Sequence, residues 1–97
     1  MSLKSTMGQR RDGNEKEIVT TLRAVGASVL YMDKSAGFDL LVCWHGQIFV
    51  MEVKQRGEHL SDREREVALE VRRQSEYYVI HDKVEALDIL GALWVQP

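Results

Sequence analysis

The stretch GFDLLVCWHGQIFVMEVK, residues 37–54, does most to limit how this chain can fold. Two runs rich in apolar, β-branched and aromatic residues flank His45-Gly46, and a glycine in a two-residue link favours a tight β-hairpin. Both runs are apolar at almost every position, which predicts strands covered on two sides. Three ionisable residues interrupt them: Asp39, Glu52 and Lys54. With His45-Gly46 as the turn, Trp44 faces Gln47, Cys43 faces Ile48 and, counting outward, Asp39 faces Glu52. An even-length loop on the same centre keeps that register, and an odd-length loop shifts it.

Directly opposed residues share a face, with Cβ atoms about 4.5–5.5 Å apart, and two carboxylates placed there repel. Burial worsens the repulsion by favouring the protonated form. A divalent cation between the two reverses the sign of the effect. Hard oxygen donors suit Mg²⁺, which commonly takes one or two carboxylates and completes its shell with water and substrate phosphate. Lys54 lies two residues past Glu52 and so on the same face, where an ammonium can orient a nucleophile and offset charge on a reacting phosphate. Carboxylates, cation and ammonium together fit phosphodiester hydrolysis. The plainer alternative has Asp39 closing a strand end and Glu52 pairing with Lys54 as a structural ion pair. The opposed Asp39 and the apolar surroundings favour the site.

Around the hairpin the punctuation is clear. Asn14 can cap a helix from Glu15 in which Ile18, Leu22 and Val25 recur at helical spacing, with Gly26 as its stop. Residues 27–32, ASVLYM, read as a strand and DKSAG as a turn. Ser61 followed by Glu64 is a capping-box signature for a helix from about Asp62 to Gln74. YYVI is a short strand, and Asp82 with Glu85 opens a last helix running to about Leu90. The order is α-β-β-β-α-β-α, an α/β domain with a small mixed sheet flanked by helices. Residues 1–12 are polar and predicted to be a flexible lead into a single domain over 13–97.

The chain's 97 residues allow one core. One cysteine, Cys43, permits no internal disulfide and suits a reducing, cytoplasmic setting. One Cys and three scattered His make a zinc site of that type unlike this sequence. No window reaches the roughly 18 consecutive apolar residues of a membrane helix, so no membrane partner is expected, and the polar N-terminus lacks the apolar core of a secretory signal. A net charge of −2 argues against a purely electrostatic nucleic-acid coat. It argues less against an enzyme whose bound cation adds positive charge where phosphate docks.

In order along the chain, NEKEIV (14–19), GFDLLV (37–42), MEVK (51–54) and Leu60-Ser61 resemble the motif series of the PD-(D/E)XK nuclease superfamily, most closely phage-type VRR-NUC domains and archaeal Holliday-junction resolvases. The resemblance covers roughly residues 12–90. It implies a restriction-endonuclease-like core of α-β-β-β-α-β order and a Mg²⁺-dependent DNA endonuclease, with Mn²⁺ able to substitute, acting on branched or structured DNA. It implies Asp39, Glu52, the Val53 carbonyl and Glu15 as metal ligands and Lys54 as the catalytic lysine, with Asp39, Glu52 and Glu15 serving catalysis through the metal. Glu17 competes with Glu15 for the helix position, on a different face. It also implies an intracellular bacterial, archaeal or phage-encoded protein, and a homodimer would suit a two-fold junction.

Two departures stand out. Phe38 occupies a position where the family often has proline, and Glu64 falls about where many relatives carry a glutamine. Glu64 reads equally as the capping partner of Ser61. Lys34 and Ser35 precede the acidic strand where resolvases place polar residues near DNA. With Gln55, Arg56, Arg63, Arg10 and Arg11, they are the candidate phosphate contacts. Trp44, Trp94 and Tyr77-Tyr78 read as core or interface, and His59 and His81 show no partner pattern. A non-catalytic DNA-binding or interaction module on the same fold is the alternative reading.

Overall fold

The computed structural model describes residues 14–93. Arg10, Arg11, Trp94 and the lead segment 1–12 lie outside the described residues. A first helix, α1, covers residues 14–24. It is followed by β1 (Ser28–Tyr31), a 3-10 turn (Lys34–Ala36), β2 (Leu40–Trp44), β3 (Gln47–Val53), α2 (Asp62–Val71), β4 (Tyr77–Ile80) and α3 (Lys83–Leu90). The four strands form one mixed sheet in the order β1-β2-β3-β4. The first two pairings are antiparallel and β3 runs parallel to β4. A parallel step needs a crossover, and α2 supplies it. No helix among the described residues is long and apolar enough to cross a membrane.

The hairpin register follows from its turn. Trp44 pairs with Gln47, Cys43 with Ile48 and Leu40 with Met51. His45 and Gly46 both take positive φ, 51° and 79°, as a hairpin turn matched to the twist of its strands requires. Alternation then sorts the side chains. Leu40, Val42, Phe49, Met51 and Val53 point to one face, where they join Ile18 and Leu22 of α1 and Ala86, Leu87 and Leu90 of α3 in a single buried cluster. Helix α2 lies on the other face. Its Ala68 and the Tyr77 beneath it are buried outside that cluster.

Coverage of that second face is partial, which corrects the expectation of strands covered on both sides. Helix α2 is only 10 residues long, and its contacts fall on the β3–β4 side and on the turn before β2. Leu30 and Ile48, on the far part of the same face, stay 57% and 65% exposed. The helix also stops at Val71, short of Gln74. Asn14 is itself helical, and its side-chain amide donates to the His81 carbonyl at 3.3 Å. The Ser61–Glu64 capping box forms in full. At α3, Asp82 accepts from the Glu85 N–H, while Glu85 reaches back one residue further, to the His81 N–H and ring. His81 thus has a partner that its own spacing did not reveal.

Candidate active site

Asp39 lies one residue before β2, where the regular ladder has ended at Leu40 and Met51. Its N–H still donates to the Met51 carbonyl at 3.2 Å. Its carboxylate Oδ2 accepts the Val53 N–H at 2.8 Å. A side-chain oxygen therefore continues the pairing that the main chain gives up, and this holds the Asp39 carboxylate against the end of β3. The turn leading to it is held at several points. Asp33 caps it by accepting the Ser35 N–H and Oγ–H at 2.8 and 2.6 Å. Tyr77 Oη donates to the Gly37 carbonyl at 2.7 Å, and Gly37, at φ 81°, sits against Val67 of α2.

Glu52 is the one charged residue with no exposed surface among the described residues. Neither of its carboxylate oxygens has a hydrogen-bond partner there. The nearest ammonium, Lys54 Nζ, stands 3.5 Å from Oε2. Burial, the charge of Asp39 and the neighbouring Glu64 push the Glu52 carboxyl far above the usual range, to about 9, and Lys54 opposes them only in part. An acid held in this state is a poor structural element, since a buried polar group without a partner costs about 1–3 kcal/mol.

Lys54 is held from the other side by α2. Glu64 Oε1 accepts from Lys54 Nζ and from the Ser61 N–H, both at 2.8 Å. Burial of Lys54 works against its charge, but Glu64, Glu52 and Glu58 outweigh it and keep the ammonium above the ordinary lysine range. Glu64 is also desolvated, yet Lys54 and the Ser61 N–H stabilise its charge and bring its carboxyl down to about 2. Lys54 therefore enters any reaction as a fixed cation rather than as a ready base. The two readings of Glu64 are both realised: it caps α2 and it reaches the site.

Asp39, Glu52, Lys54 and Glu64 line one cleft of about 340 Å³, with Lys34 and Phe38 on its rim-side turn. Glu15 does not line it. With Val53, Lys54 and Glu58 it borders a second, smaller depression beside the same lysine. Glu17 is directed to Lys83 at 3.1 Å. The predicted phosphate contacts separate in the same way. Lys34 lines the cleft and makes no ion pair among the described residues. Arg56 bonds to Asp82 and Glu85, each at 3.0 Å. Arg63 donates twice to the Ser35 carbonyl, at 3.1 and 2.9 Å, and pairs with Glu66. Ser35 is spent within that turn, while Gln55 bonds to Glu58 only through its main-chain N–H and borders the smaller depression. Phe38, Ser61 and Glu64 belong to the cleft without having been singled out as site residues. Only for Glu64 was a signal present, because its capping role fixes it at the helix end that opens over β3.

The donor set suits a hard cation: two carboxylates on one face, one of them buried with unsatisfied oxygens. Among the described residues no group of three or more His, Cys, Asp or Glu side chains is arranged to hold a metal, so water, main chain or substrate would supply the remaining ligands, as is usual for Mg²⁺. No family model matches the chain, and neither the curated proteins nor the solved structures searched contain a match.

Proposed function

We propose that this chain is a metal-dependent DNA endonuclease on a restriction-endonuclease-like core, cutting phosphodiester bonds in branched or structured DNA. The observation that carries the reading is Glu52: fully buried, its two oxygens without a hydrogen-bond partner among the described residues, beside Asp39 and 3.5 Å from Lys54 Nζ. An arrangement this costly for the fold alone is expected where a ligand relieves it. Asp39 and Glu52 would hold Mg²⁺ or Mn²⁺ with the Val53 carbonyl, while Glu15, which borders the neighbouring depression and not this cleft, falls outside that ligand set. The bound cation would lower the pKa of a water molecule and neutralise phosphate charge.

The chain's own residues do the rest. Lys54, kept charged by Glu64, attracts the scissile phosphate and stabilises the extra negative charge that develops on it. Asp39, anchored by the Val53 N–H, keeps its carboxylate in register with Glu52. Lys34, which makes no ion pair among the described residues, supplies a cation at the cleft for a flanking phosphate. A homodimer would set two such clefts on a two-fold substrate, and sedimentation of a monomer at all concentrations would remove that part of the proposal.

A non-catalytic DNA-binding module is the second reading. It is favoured by the lack, among the described residues, of any group of three or more His, Cys, Asp or Glu side chains arranged to hold a metal. Incubating a four-way junction and a flap with Mg²⁺ or Mn²⁺ separates the two. Nicking by the wild type that is lost in Glu52→Ala and Lys54→Ala is the expected result. Nicking that survives both substitutions would sink the mechanism, and binding without any cleavage would select the second reading.

A further inference from the structure

The turn that precedes Asp39 is held more firmly than a connecting loop needs. Asp33, Arg63, Tyr77 and Val67 each fix a different point of residues 33–37. Lys34 of this turn and Phe38, which follows it, line the cleft. Lys34 makes no ion pair among the described residues, and Phe38, a large aromatic, stays partly exposed beside an acidic site rather than joining the buried cluster.

We infer that Phe38 is a stacking residue for an unpaired base next to the scissile phosphate, with Lys34 taking the adjoining phosphate. The substrate class is thus a nucleotide freed from its duplex partner: a single strand, a flap or a branch point. A ring on a rigid turn offers stacking at small entropic cost, and base–aromatic stacking needs no particular base. The cleft volume agrees. About 340 Å³ is near the lower end of the roughly 300–1,000 Å³ of small-ligand clefts. That is room for one nucleotide, whereas a duplex would meet only the rim. The inference deepens the nuclease reading by specifying its substrate, and rests on that reading for the position of the scissile phosphate.

The test is binding in chelator, with cleavage measured in parallel. A single-stranded oligonucleotide carrying one 2-aminopurine, and its duplex, are titrated with wild type, Phe38→Ala, Phe38→Trp and Lys34→Ala. Stacking quenches the probe. The wild type is expected to quench it and to prefer the single strand. Phe38→Ala should weaken single-strand binding by about 5- to 150-fold with the quench lost, while Phe38→Trp restores both. Lys34→Ala should weaken binding, reduce its salt dependence and keep the quench. Phe38→Ala binding within twofold of wild type overturns the inference, as does equal affinity for duplex and single strand, or failure of Phe38→Trp to restore the quench. The parallel assay separates the two proposals. Stacking without flap cleavage in Mg²⁺ sinks the nuclease and leaves the subsite standing. Flap cleavage that Phe38→Ala leaves unchanged sinks the subsite and leaves the nuclease.

Discussion

A carboxyl group with no exposed surface and no hydrogen-bond donor weakens the protein that contains it, and Glu52 is such a group. The direction of its titration makes the cost measurable. In the unfolded chain Glu52 titrates near 4.5, and in the fold burial raises it to about 9. Between those values the folded state keeps a proton that the unfolded state has lost, so its contribution to stability falls as pH rises from about 4.5 toward 9. Glu64 acts in the opposite sense. Its carboxyl is held down at about 2, so its stabilisation is present above about 4.5 and is lost as pH falls toward 2. Replacing Glu52 by glutamine removes the first effect and leaves the second. In chelator, denaturant titrations should show Glu52→Gln more stable than wild type by about 1–3 kcal/mol at pH 8, with the gap closing near pH 5. A wild type that is the more stable at pH 8 would mean that Glu52 has a partner in the fold.

The elements were legible where a local rule decides them. The hairpin register needed only a two-residue turn and period-2 alternation, and the caps of α2 and α3 needed only the spacing of an accepting side-chain oxygen and an acid. What the sequence could not show is which side chains other elements would claim. Arg56 and Arg63 look alike as free bases, yet α3 and the 33–37 turn take them up. Glu64's reach to Lys54 depends on where α2 is laid, and so does the open half of the sheet around Leu30 and Ile48. The tightest of these element contacts is Gly37 against Val67. A Cβ on Gly37 would lie 2.4 Å from Val67 Cγ2, and its φ of 81° is unfavourable for any other residue. Gly37→Ala should therefore cost about 2–4 kcal/mol, from a left-handed backbone and overpacking together. Adding Val67→Ala should recover part of it, giving clear non-additivity in a double-mutant cycle followed by thermal melts. Additive losses would show that the turn is not seated on α2.

Across the described residues, α1 and α3 seal one face of the sheet, while the opposite face is divided among α2, the cleft and the open stretch around Leu30 and Ile48. A domain of this size holds only about 5–15 kcal/mol of net stability, so a ligand that offsets the cost of one buried acid is visible in its melting temperature. A ligand that binds only the folded state adds RT ln(1 + [L]/Kd), about 1.4 kcal/mol at ten times Kd. At about 4–8 °C per kcal/mol for a domain of this length, Mg²⁺ or Mn²⁺ at that level should raise Tm by roughly 6–11 °C. Charge screening alone would act on the exposed ion pairs of α2 as well, so the comparison requires NaCl at equal ionic strength, which should produce little of the shift. Glu52→Gln, which lacks the buried acid, should start higher in chelator and gain almost nothing from the cation, so the gap between the two proteins narrows by about 1.4 kcal/mol at ten times Kd. That narrowing reports cation binding at Glu52 without any cleavage assay, because a protein whose buried acid is only structural would keep the same gap in both buffers. Equal shifts in the two proteins would place the cation elsewhere and remove Glu52 from the proposed site.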